Sequence, residues 1–86
     1  MYYQVKSGVV VQEVDGELLV LDRENEQIHQ LNAIASLIWS CIDGQSGLEQ
    51  IAARVTEKYE VAPDVAKRDV KKLLEEFSEK NLISPV

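Results

Sequence analysis

At Asn32 the spacing of apolar residues changes, and this constrains the fold more than any other feature of the chain. Before it, apolar residues come in short strand-like runs. Val9-Val10-Val11-Gln12-Glu13-Val14 is β-branched and bounded by Ser7-Gly8; Glu17-Leu18-Leu19-Val20-Leu21 follows Asp15-Gly16. An Asp-Gly pair between two such runs predicts a two-residue hairpin, because a type I′ turn needs positive φ, which Gly adopts freely. Asp22 to Glu26 is a polar connection, and Gln27-Ile28-His29-Gln30-Leu31 reads as a third strand.

After Asn32 the period is helical. Asn32 suits a helix N-cap, since its side chain can accept from the free amides of the first turn. From Ala33 to Ile42 only Ser36 and Ser40 are polar, so this helix is expected to be buried on nearly all sides. Asp43-Gly44 ends it. Ser46-Gly47-Leu48-Glu49 has the spacing of a capping box, and Leu48, Ile51, Ala52, Val55 and Tyr59 then recur as one amphipathic stripe. After the turn Glu60-Val61-Ala62, Pro63 is placed at the first position of a third helix. Ala66, Val70, Leu73, Leu74 and Phe77 form its apolar stripe; Asn81 closes it and Leu82-Ile83-Ser84 leaves it extended.

Three strands followed by three helices predict a single α+β domain over residues 1–86. Two amphipathic helices joined by a short turn, with a small antiparallel sheet beside them, make a winged-helix-like architecture the best fit. With 86 residues, 45% of them hydrophobic, the chain is too short for two independent domains. A core of this size covers only about two-thirds of the unfolded surface, so modest stability is expected.

The charge balance narrows the partners. Nine Lys and Arg against fifteen Asp and Glu give a net charge of −6, which does not steer a protein towards nucleic acid or anionic lipid. No apolar run approaches the roughly 20 residues needed to span a bilayer. The N-terminal Met1-Tyr2-Tyr3-Gln4-Val5-Lys6 lacks the pattern of a signal peptide. The expectation is a cytoplasmic protein.

Residues for covalent chemistry are sparse. His29 is the single histidine and Cys41 the single cysteine. Neither has neighbours at metal-ligand spacing, and no serine sits in a nucleophile elbow that His29 could serve. Cys41 lies in an apolar run and reads as a small buried hydrophobe. The four glycines stand singly, without a phosphate-cradling loop. No enzyme activity, metal or cofactor is expected. One cluster stands out: Lys67, Arg68, Lys71 and Lys72 early in the third helix. Helical spacing puts Lys67, Lys71 and Leu74 on one flank beside the buried stripe. That is either a solvated face, paired with Asp64, Asp69, Glu75 and Glu76, or a basic lip beside an apolar groove.

The stretch His29-Gln30-Leu31-Asn32-Ala33-Ile34-Ala35-Ser36-Leu37-Ile38-Trp39, then Asp43-Gly44, Leu48-Glu49-Gln50-Ile51-Ala52, Asp69-Val70-Lys71-Lys72-Leu73-Leu74 and Asn81-Leu82-Ile83, resembles the PqqD-like family. That family is named for a protein of pyrroloquinoline quinone biosynthesis, and its fold recurs as the recognition element of enzymes that modify ribosomally made peptides. The resemblance implies binding of the leader segment of a precursor peptide. It also implies presentation of that peptide to a modifying enzyme, often a radical S-adenosylmethionine enzyme. It implies docking of the leader as an added strand on Ile28, His29, Gln30 and Leu31, packed against Lys67, Val70, Lys71 and Leu74.

Edge-strand pairing fits this mode, because backbone groups can be satisfied whatever the peptide sequence. Two rivals use the same features. A DNA-binding winged helix would place Lys67, Arg68, Lys71 and Lys72 against phosphate, but the hairpin and the loop after it are acidic with Arg23 the sole cation. An interaction subunit would pair its edge strand with a protein partner or with a second copy in a homodimer.

Overall fold

The computed structural model describes residues 2–86. Its elements in chain order are β1 (Tyr3–Val5), β2 (Val9–Val14), β3 (Glu17–Asp22), β4 (Gln27–Gln30), α1 (Ala33–Ser40), α2 (Leu48–Tyr59), α3 (Pro63–Glu79) and β5 (Ile83–Pro85). The α+β class, the three-stranded antiparallel sheet and the three helices are those the sequence predicts.

β2, β3 and β4 form an antiparallel sheet with β3 in the centre. Val14 pairs with Glu17, so Asp15-Gly16 is a two-residue turn. Both residues have positive φ, 52° and 83°, as a type I′ turn demands. The next connection is organised by Asp22, whose carboxylate accepts from the Asn25 amide at 3.3 Å and from its Nδ2 at 2.9 Å.

The helix ends follow local chemistry, with two departures from expectation. Asn32 caps α1 by accepting from the Ala35 amide at 2.8 Å. The helix stops at Ser40 rather than Ile42, because Cys41 and Ile42 donate to Ile38 and Trp39 in a tightened final turn. The N-cap of α2 is Gly47, not Ser46. Asp43 captures Ser46 instead, accepting from its amide at 2.8 Å and its hydroxyl at 3.2 Å. Gln50 Oε1 then accepts from the Gly47 amide. α3 begins at Pro63 and ends in a Schellman arrangement: Leu82 donates to the Phe77 carbonyl and Asn81 to that of Ser78. Asn81 takes the left-handed conformation this needs, with φ 60°.

A second, two-stranded sheet joins the ends of the chain. β1 pairs with β5 through Tyr3↔Pro85, Gln4↔Ser84 and Val5↔Ile83. Gly44 donates to the Tyr3 carbonyl at 2.8 Å, tying this sheet to the loop after α1. The core lies between the sheets and helices and includes Val20, Leu31, Ile38, Trp39, Ile51, Val55, Val70, Phe77 and Leu82. Trp39 meets the Phe77 ring edge-on, with centroids 5.2 Å apart and planes at 80°, a favoured geometry for aromatic pairs. Cys41 is a free thiol within this core.

Candidate functional site

β4 is an edge strand: β3 pairs with one side of it, and no strand among the described residues pairs with the other. The phase of its backbone groups follows from one rung. Leu31 donates to the Leu18 carbonyl at 2.9 Å, and antiparallel rungs alternate between bonded and non-bonded pairs. With Val20↔His29 and Asp22↔Gln27 in register, Gln27, His29 and Leu31 turn their backbone groups towards β3. Ile28 and Gln30 turn theirs outward, and no hydrogen bond among the described residues ends on them outside the ladder.

Side chains alternate in the other sense. His29 and Leu31 share a face with Val20 and Leu18, the face on which α1 packs. Leu31 is buried and His29 half-buried. His29 Nε2 is enclosed yet lacks a hydrogen-bond partner. Ile28 and Gln30 point to the opposite, outer face, where Ile28 is 69% exposed. The strand therefore offers two outward amides and two outward carbonyls, with one large apolar side chain, Ile28, on the outer face beside them.

The α3 positions fall into two groups. Val70 and Leu74 are core residues, Val70 with no exposed surface. Lys67 and Lys71 are exposed, on the flank that turns towards α2 and β1. Lys67 Nζ lies 3.6 Å from Glu49 and lines a cavity between α2 and α3 with Ala52, Ala53, Thr56 and Pro63. Lys71 and Leu74 line a second cavity, of about 250 Å³, with Tyr3, Leu48 and Glu75. The residues lining both cavities come from β1, α2 and α3. The opposite flank of α3 carries Val65, Asp69, Leu73 and Glu76 by helical spacing; Val65, Leu73 and Glu76 are half-buried there. Both flanks border the same apolar stripe, and which of them faces α2 depends on where that helix crosses.

Two carboxyls are perturbed. Asp22 is held below the usual carboxylate range, chiefly by the Asn25 side-chain N–H. Asp43 is held below it by the backbone N–H groups of Gln45 and Ser46. Both perturbations organise turns. Among the described residues no group of three His, Cys, Asp or Glu side chains could hold a metal ion, and no helix is long and apolar enough to cross a membrane.

The chain matches the family described as coenzyme PQQ synthesis protein D (PqqD) over residues 17–83. Among solved structures it is similar to a lasso peptide synthetase B1 complexed with the leader peptide. That match has 25% identity over 99% of this chain and 100% of the other, with a TM-score of 0.88. TbiB1 in complex with the TbiA(beta) leader peptide is 24% identical over 96% of each chain, with a TM-score of 0.87. The solution structure of the PqqD truncation of Methylobacterium extorquens PqqCD, a functional and stand-alone recognition element for ribosomally synthesized and post-translationally modified peptides, is 19% identical. It covers 95% of this chain and 87% of that one, with a TM-score of 0.78. No curated protein matches the chain. From the third strand to the last, the order and spacing of elements are those of one family, and the chain belongs to it: it is a member of the PqqD family.

Proposed function

We propose that this protein binds the leader segment of a ribosomally made precursor peptide by strand addition at β4 and presents it to a modifying enzyme. The observation that carries the reading is the free edge of β4, where Ile28 and Gln30 direct their backbone groups outward. An incoming extended peptide satisfies those groups without any demand on its own sequence. Family membership supports the reading, as does the leader peptide bound to the lasso peptide synthetase B1 that this chain resembles.

Within this proposal residues 1–86 form one winged-helix-like recognition domain. Ile28 and Gln30 supply backbone bonds, while His29 and Leu31 shape the inner side of the strand. α3 is the facing wall. Val70 and Leu74 hold it to the core, and Val65, Asp69, Leu73 and Glu76 stand on the flank that α2 leaves open. Lys67 and Lys71 act at longer range, drawing an acidic leader towards the domain. The protein is a binding partner rather than a catalyst, and the enzyme it serves is of the radical S-adenosylmethionine type.

The test is a titration of isotope-labelled protein with a synthetic leader from a precursor encoded beside its gene, followed by amide shifts and hydrogen exchange. Protection of the Ile28 and Gln30 amides is expected. Shifts confined to β2 or to the α2–α3 cavity, with Ile28 and Gln30 still exchanging freely, overturn the assignment.

A further inference from the structure

We propose that the outer face of the three-stranded sheet reads the leader: an apolar leader side chain beside Ile28 completes a row begun by Val10 and Leu21. The inference rests on strand addition at β4 and deepens it by naming what one leader position must be.

The row follows from register. Val10 pairs with Leu21, and Leu21 pairs with Ile28, so the three side chains stand side by side across the sheet. They stand on the face away from α1, since Val20 and Leu31 of the alternate set are buried in the core. Val10 is 42% exposed and Ile28 69%; Leu21 between them is half-buried. Exposed apolar residues on an edge strand invite pairing and are normally replaced by charge. Here Ile28 ends the row at the very residue whose backbone groups are free.

That coincidence determines the occupant. A strand hydrogen-bonded to Ile28 places its directly opposed residue on the same face as the Ile28 side chain, whichever way it runs. An apolar residue there packs against Ile28 and extends the row to a fourth member. A second copy of this chain fits less well. Residues 9–31 carry six carboxylates and one cation, Arg23, so two such sheets brought edge to edge repel each other. Beside Gln30, in the adjacent row with Leu19 and Gln12, a polar leader residue is accommodated. One leader position is thus apolar, and the position two residues away is free to be polar.

The experiment uses a displayed library of random 15-residue peptides, selected against the full chain and against Ile28→Thr. Threonine keeps the β-branched backbone preference and removes the apolar end of an exposed side chain, so the variant folds. Enriched peptides are expected to protect the Ile28 and Gln30 amides and to share an apolar residue at one position. Replacing that residue by Thr should weaken binding to the wild type about 3- to 5-fold, and to Ile28→Thr by less than about 1.5-fold, the coupling expected of a cross-strand pair. Peptides that protect the β4 edge but show no apolar position, or that lose affinity equally against both proteins, overturn the row and leave strand addition standing. Enriched peptides that leave the Ile28 and Gln30 amides unprotected overturn both.

Discussion

Ser36 replaces the rung that would otherwise run from the Leu18 amide to the Leu31 carbonyl. Its hydroxyl accepts from Leu18 N at 2.9 Å and donates to the Leu31 oxygen at 3.2 Å. The helix thereby inserts one side chain into the β3–β4 ladder at the point where β4 must end and α1 begin. The hydroxyl is buried, so both of its bonds are made away from competing water. Ser36→Ala leaves the Leu18 amide without that acceptor and is expected to cost about 1–2 kcal/mol. In a domain of this size each kcal/mol lowers the melting temperature by about 4–8 °C. A thermal melt followed by circular dichroism checks it; an unchanged midpoint shows that the direct rung closes without loss.

The two flanks of α3 are expected to answer differently to substitution. Lys71→Glu reverses a charge on the flank turned towards α2 and β1. It should slow association with an acidic leader a few-fold at low salt and little at about 0.15 M, because exposed charges act through a screened field. Leu73→Asp places a charge on the opposite, half-buried flank and should raise the dissociation rate, weakening binding by about 2 kcal/mol. Stopped-flow kinetics separate the two effects. Circular dichroism of each variant must match the wild type for the comparison to count. A larger loss from Lys71→Glu at physiological salt would place the leader on the Lys67–Lys71 flank.

Duplex DNA should not be retarded by this protein at physiological ionic strength. The hairpin that would have to meet phosphate carries Glu13, Asp15 and Glu17, and Lys67 already lies against Glu49. Binding that falls steeply with salt would be the signature of counterion release and would revive a DNA-binding role for α3.

Acid should unfold the protein partly through its turn carboxylates. Asp43 and Asp22 both have pKa values lowered from 3.8 in the folded state. A depressed carboxylate contributes its stability in full above the unfolded value and loses it as pH falls through the folded one. The loss attributable to these groups therefore lies below about pH 4. Asp43→Asn keeps an oxygen that can accept from Gln45 and Ser46 but removes the titration. Urea midpoints at pH 7, 5 and 3 should fall less steeply for Asp43→Asn than for the wild type; parallel curves would remove Asp43 from the acid response.

Much of this protein was legible along the chain because the responsible interactions are local. Asp15-Gly16 turns as it does because two adjacent residues supply positive φ. Asn32, Pro63 and Asn81 mark helix ends because a cap needs only its own turn, and the strand and helix stripes are visible as periods of 2 and 3.6. The exposure of the β4 edge also followed from order, since the last strand of a meander has one partner. Where local signals competed, the reading went astray: Ser46 has capping-box spacing, but Asp43 three residues earlier took its donors.

Tertiary structure decided the rest, and in each case the deciding partner is remote in sequence. β1 and β5 have three residues each, too few to show a period, and they exist as strands because Tyr3–Val5 meets Ile83–Pro85 from the other end of the chain. Which flank of α3 faces outward depends on the crossing of α2, which puts Glu49 beside Lys67 and Leu48 near Lys71; helical spacing alone treats both flanks alike. The row Val10–Leu21–Ile28 depends on register across two turns, where a slip of one residue would send Ile28 to the core face. The sequence by itself determined the hairpin, the three strands of the larger sheet and the three helices, because caps, turns and periods act within a few residues. The fold decided which surfaces those elements share, because a shared surface is a relation between residues that only packing brings together.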